Sequence, residues 1–175
     1  MRFVLPSFAK LNLSLRVTGR RDDGYHDLVS LFLRIPSGET LRVVRRPDPT
    51  AGDLVNVEGM ELEGENIVAR ALRLARASGL AVPPLDIEIL KSLFPGAGLG
   101  AGSGNGAALL RWLAAEIPDS RWPEIARRTG ADVPCLFSAF SVALVSGIGE
   151  RLEPLPALPP VGRSEERRVG KECRS

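Results

Sequence analysis

Leu11, Leu13, Leu15 and Val17 alternate with Asn12, Ser14 and Arg16, the period-two pattern of a strand with one buried face. Residues 20–24 (RRDDG) interrupt it as a polar turn closing on glycine. The pattern predicts further strands over residues 28–35 and 40–45, then a surface loop over 47–53. At Asn66 the period becomes helical. Ile67, Val68, Ala71, Leu72 and Ala75 share one face, Arg70, Arg73 and Arg76 the other, with Asn66 as N-cap and Gly79 as the stop.

Residues 85–90 (LDIEIL) alternate again, and a glycine-rich loop follows over 96–106. Residues 107–115 are almost wholly apolar and predict a buried helix. A short helix entered at Pro123 is predicted to 129, a short strand over 140–145, and a proline-rich end over 154–160. Strands and helices mix without a regular βαβ alternation, so the expected class is α+β, with one domain over residues 1–160.

Composition narrows the function classes. An apolar share of 44% with 25% charged residues supports a packed core and argues against disorder. No apolar run approaches the ~20 residues of a membrane helix, and the N-terminus shows no apolar leader. The net charge of +2 comes from residues 163–175, with five basic and three acidic residues; residues 1–162 carry 18 of each sign. The basic balance therefore gives no reason to expect a nucleic-acid partner. Cys135 and Cys173 have no metal-site spacing and make no disulfide framework. The expectation is a cytoplasmic protein with no membrane partner.

The segment G-A-G-L-G-A-G-S-G-N-G (residues 96–106) lies between a predicted strand and a predicted helix. Glycines let the backbone approach a ligand closely, successive N–H groups can form an anion-binding concavity, and a helix start adds a positive dipole end. A phosphate group is the natural guest, with Ser103 placed to donate to a phosphate oxygen or to bind Mg²⁺. The pattern G-x-x-x-x-G-K-[ST] is absent, and Gly102, Gly104 and Ala107 match only a relaxed dinucleotide fingerprint. A flexible linker is the alternative, although such a linker would not ordinarily be so poor in polar residues.

Three segments together carry a family resemblance: A-K-L-N-L-S-L (9–15) with G-R-R-D-D-G-Y-H-D-L (19–28), the loop G-A-G-L-G-A-G-S (96–103), and T-G-A-D-V-P (129–134). In this order and spacing the chain, from about residue 5 to 155, resembles the GHMP small-molecule kinases. The D-G-Y-H segment points to the branch acting on a cytidine diphosphate-linked methylerythritol. The resemblance implies a GHMP-kinase N-terminal domain, ribosomal protein S5 domain 2-like, followed in the family by a second α+β domain that is missing here.

It also implies ATP-dependent phosphorylation of the 2-hydroxyl of the methylerythritol unit in the non-mevalonate isoprenoid route, with ATP and Mg²⁺ as cofactors. Lys10 and Asp132 match the catalytic pair, with Asp132 accepting or orienting the substrate hydroxyl proton. Pro95, Gly96, Ala97, Gly98, Leu99, Gly100, Ala101, Gly102 and Ser103 match the ATP-phosphate loop. Asn12 matches a substrate contact, and Tyr25 and His26 match the cytidine end. Lys10 and Asn12, two apart, fall on one face of their strand. Read without the resemblance, Lys10 is an ordinary solvated lysine, Asp132 a turn or cap residue and His26 a turn residue.

Departures from the pattern set further expectations. Phe8 and Phe94 stand where the family usually has proline, Gly104 where it has a second serine, and Gly106 where it has alanine. Gly106 is expected to loosen the helix start by up to ~1 kcal/mol, and Gly104 to remove a phosphate or Mg²⁺ contact. Residues 163–175 (RSEERRVGKECRS) read as a non-native tail of the kind a translated sequencing adapter produces. The chain by itself is expected to have little kinase activity. The alternatives are another GHMP kinase of homoserine or mevalonate type, or a non-catalytic nucleotide-binding fragment.

Overall fold

The computed structural model describes residues 2–159 except 23, 25, 60–63, 95 and 139. Tyr25, Pro95 and the expected tail at 163–175 lie outside the described residues.

Two long strands make the frame. β1 (Arg2–Arg20) and β2 (His26–Arg45) pair antiparallel from Arg2 opposite Val44 to Arg20 opposite His26. The strands expected at 28–35 and 40–45 are therefore one. Pro36 does not break it, because it falls beside the register shift between Pro6 and Phe8, where the ladder is already interrupted. β1 also starts earlier than its alternation suggested and runs into the expected turn at Arg20.

β2 shares its other edge between two neighbours. β4 (Leu85–Leu90) pairs with residues 40–45, and β5 (Val142–Gly147) with residues 28–33, both antiparallel. β3 (Leu54–Val57) lies parallel on β4, and β6 (Arg151–Leu155) antiparallel on β5. β3 and β6 were not anticipated, and β5 sits two residues later than expected. Pro154 is carried inside β6, which pairs on one side only among the described residues.

Four helices cover the frame: α1 (Ile67–Ala77), α2 (Ala101–Glu116), α3 (Trp122–Thr129) and α4 (Val133–Phe137). α1 begins and ends as its sequence dictates. The Asn66 side chain accepts from the Val68 N–H at 2.8 Å. At the other end Gly79 takes φ +80°, its N–H donates to Arg76 O, and the Leu80 N–H donates to Ala75 O. These are the two bonds of a Schellman cap. α2 starts at Ala101, six residues before the expected position, so the second half of the glycine segment is helix. The five-residue α4 was not anticipated.

The core lies between strands and helices. Leu41, Val43, Ile87 and Ile89 meet Leu72, Leu109, Leu110, Leu113, Ile125 and Leu136, all buried. One expectation fails here. The face carrying Leu13, Leu15 and Val17 is not buried: these residues are 42%, 57% and 60% exposed. The helical layer packs on the other end of β1, against Phe3, Leu5 and Phe8.

Candidate active site

The glycine loop leaves β4 and enters α2. Gly96, Gly98 and Gly100 all take positive φ, the kind of run that turns backbone N–H groups toward one concavity. Gly100 is the N-cap of α2 at φ +63°, and no side chain caps the helix. The N–H groups of the first turn of a 16-residue helix thus face the loop without a side-chain acceptor. The loop encloses a cavity of about 340 Å³ lined also by Ile67, Lys91 and Leu93, and Ser103 lies on its wall. Phe94, 88% exposed, stands at the same cavity.

Behind Gly100 lies the charged pair. A Cβ at Gly100 would sit 3.1 Å from Asp132 Oδ2 and 3.1 Å from Lys10 Cγ, so loop backbone rests directly on both side chains. Lys10 Nζ lies 3.8 Å from Asp132 Oδ2, with the lysine side chain 12% exposed and the aspartate 30%. Lys10 also donates to Asn12 Oδ1 at 3.4 Å and lies 5.3 Å from the centroid of the Phe32 ring. Its backbone N–H donates to Leu99 O at 2.8 Å, tying β1 to the loop. Asp132 occupies the N-cap position of α4, yet its side chain makes no cap bond. The ordinary reading of Asp132 as a cap is therefore excluded: its carboxylate is turned to Lys10 instead.

The loop residues Gly96 to Ser103, Lys10, Asn12 and Asp132 thus come together. His26 does not join them. It is exposed at the start of β2 opposite Arg20, eight residues from the partner of Lys10, Arg34, or roughly 25 Å of strand.

The departures at Gly104 and Phe8 acquire physical reasons, while nothing in the structure explains Gly106. A Cβ at Gly104 would lie 1.7 Å from Phe8 O, so this position faces β1 rather than the cavity, and no hydroxyl is lost from the phosphate loop. A Cβ at Gly106 would meet Ile67 and Thr129 at ordinary distances, so alanine fits there. Phe8 packs between two guanidinium groups, Arg34 at 4.7 Å and Arg111 at 5.0 Å. Burial, and then repulsion from Arg34, pull the Arg111 pKa below its ordinary value. Nearby, burial and then the Asp132 charge raise the Cys135 thiol to about 11.

One group escaped the sequence reading. Glu39, fully buried, pairs with Lys91 Nζ at 2.9 Å and accepts from Asn105 Nδ2 at 2.8 Å. The signal was its phase: Glu39, Leu41 and Val43 alternate, so the acid is in register with the buried face of β2.

A mixed sheet crossed by an uncapped glycine-led helix, with a Lys–Asp pair beneath the loop, fits one protein class. The model for the GHMP kinases N terminal domain matches residues 66–147. The fold is thus that of the N-terminal domain of the GHMP kinase family. Within the family the chain is similar to 4-diphosphocytidyl-2-C-methyl-D-erythritol kinases. The enzyme of that name from Oleidesulfovibrio alaskensis is 40% identical over 156 residues, covering 86% of this chain and 47% of the relative. The chloroplastic enzyme of Arabidopsis thaliana is 36% identical over 161 residues, covering 89% and 42%. A crystal structure of 4-(cytidine 5'-diphospho)-2C-methyl-D-erythritol kinase superposes with a TM-score of 0.68 at 38% identity, covering 92% of this chain and 57% of that one. The chain spans about half the length of the curated relatives it matches. No helix among the described residues is long and apolar enough to cross a membrane.

Proposed function

We propose that these residues form the nucleotide-binding and phosphoryl-transfer half of a kinase for the 2-hydroxyl of 4-diphosphocytidyl-2-C-methyl-D-erythritol. The observation that carries the reading is the uncapped N-terminus of α2, held over the Lys10–Asp132 pair by Gly100. A triphosphate is the ligand such a terminus recognises, with Lys91 and Ser103 on the cavity wall to meet its oxygens. Magnesium bound with the nucleotide would neutralise phosphate charge. Ser103, on the cavity wall, is the residue placed to meet that magnesium.

In this reading Asp132 holds the substrate hydroxyl and takes its proton as the oxygen attacks the γ-phosphorus, whose bond to the β–γ bridging oxygen breaks so that ADP leaves. Lys10, 3.8 Å from Asp132, faces the charge that develops on the transferring group. Asn12 orients Lys10 and contacts the substrate. Tyr25 and His26 recognise the cytidine end.

The 175-residue chain should bind one MgATP by calorimetry. Turnover is expected to be low because the relatives are about twice as long, so transfer is read in a single-turnover assay with labelled ATP and the cytidine diphosphate substrate. Asp132→Asn should lower transfer by about 10²–10⁴-fold, the scale of a general base, and leave MgATP affinity in place. Absence of MgATP binding overturns the nucleotide reading; binding without transfer in the wild type leaves a nucleotide-binding module.

A further inference from the structure

Between its two edge partners β2 has a gap, since the ladder with β5 ends at Leu33 and the ladder with β4 starts at Thr40. On its other edge residues 37–39 oppose the single residue Ser7, a bulge between the pairs Pro6–Thr40 and Phe8–Pro36. Bulges re-aim side chains, and here the side chain is Glu39, whose carboxylate is 0% exposed.

Its contacts span the glycine loop. Before the loop, Lys91 Nζ lies 2.9 Å from Glu39 Oε1, and the Leu93 N–H points at the same oxygen at a longer 3.4 Å. After the loop, Asn105 in the second turn of α2 donates Nδ2 to Glu39 Oε2 at 2.8 Å. The bulge itself is held by three serine contacts. Ser37 Oγ donates to Ser7 O at 2.9 Å and accepts from the Glu39 N–H at 3.1 Å, and Ser92 Oγ donates to Ser37 O at 2.6 Å. Asn105 Oδ1 has no partner, so the single bond to Glu39 sets the orientation of that amide.

We propose that Glu39 is a positioning residue that clamps both ends of the phosphate loop and so sets its affinity for nucleotide, without touching the nucleotide itself. A buried carboxylate needs a cation and hydrogen-bond donors to stay charged. Here those groups come from the two chain segments whose separation defines the mouth of the loop. Lys91 also lines the cavity, so the same carboxylate decides where that ammonium stands. The inference rests on the nucleotide-binding reading above only for its effect on affinity; the effect on loop geometry stands apart from it.

The test is hydrogen exchange by mass spectrometry on the full chain, with and without MgATP, for wild type, Glu39→Gln and Asn105→Ala. In both variants exchange across residues 96–104 should rise about tenfold over wild type while that of α1 and β4 stays at its wild-type level. MgATP affinity should fall about tenfold, the scale at which outer-shell partners act in other sites, and the two substitutions combined should cost little more than either alone. If Glu39→Gln does not fold, Asn105→Ala, which leaves Glu39 and Lys91 in place, is read alone by the same loop exchange. Unchanged loop exchange, or a rise spread evenly over the chain, overturns the clamp. If wild type binds no MgATP the nucleotide reading fails, and the exchange pattern alone decides the clamp.

Discussion

Two glycines in one helix should respond to the same substitution with opposite signs. Gly104 and Gly106 both lie in the early turns of α2 and are buried. On helix propensity alone, alanine should stabilise each by about 1 kcal/mol. Surroundings then separate them. At Gly106 the new Cβ meets Ile67 Cγ1 at 3.5 Å and Thr129 Cγ2 at 3.6 Å, ordinary contacts that fill space. At Gly104 it would stand 1.7 Å from Phe8 O and 2.9 Å from both the Phe8 carbonyl carbon and Ser7 Oγ, where real side chains keep about 3.0 Å. The obstacle is backbone held in the β1–β2 ladder, so helix and strand must part by more than an ångström. Overpacking typically costs about 1–3 kcal/mol and more against rigid backbone. Gly106→Ala should therefore gain about 0.5–1 kcal/mol and Gly104→Ala lose about 2 kcal/mol or more. In urea unfolding the midpoints should move apart with unchanged slope, and the melting temperatures by roughly 2–4 °C per kcal/mol. Equal stability of the two variants would refute the close approach of α2 to β1, and with it the reason glycine stands at 104.

Two further outcomes follow from charge. Burial pushes the Asp53 carboxyl up, but bonds from Arg76 and the Leu85 N–H outweigh it and hold the group below the ordinary carboxylate value. A depressed folded pKa gives stability that is present above the unfolded value and lost as pH falls, so Asp53→Asn should cost about 2 kcal/mol at neutral pH. That penalty should shrink below about pH 4 in acid-unfolding curves; a constant penalty would discount the ion pair. The Cys135 thiol, raised to about 11 by burial and by Asp132, should resist maleimide at pH 8 until the chain is unfolded, as read by peptide mass spectrometry. Rapid native labelling would place it nearer solvent.

The elements legible in the sequence are those whose ends are local events. α1 starts at an Asn66 that caps it and stops at a Gly79 in the left-handed region. β4 matches its alternation residue for residue. What escaped was decided by tertiary contacts. The glycines of 101–106 read as loop because their propensity is poor, yet helix forms there since Gly104 must lie against Phe8 and Gly100 against Lys10. β6 has four of its five residues exposed, a proline among them, and only pairing with β5 makes it a strand. In the site, the shared face of Lys10 and Asn12 follows from their spacing. The approach of Asp132 to Lys10 joins positions far apart in the chain and was visible only through resemblance.

The site has its location because one strand serves two neighbours. β4 leaves β2 at Thr40, and β5 holds the same edge up to Leu33. The chain leaving β4 crosses the gap at Glu39 through Lys91 and Leu93, turns as the glycine loop, and returns as α2 across β1. The chain approaching β5 arrives through α4, whose cap position is Asp132, and the Arg34 N–H at the start of the gap donates to Ser141 O. Both segments flanking the gap therefore bring a functional part to it: the loop from one side, the carboxylate from the other. Lys10, opposite Arg34 across the ladder, lies at the same level of the sheet. A single continuous β2 is thus what brings the loop, Lys10 and Asp132 together. Two separate strands, as the alternation alone suggested, would leave β4 and β5 free to move independently and the loop without a fixed distance to Asp132.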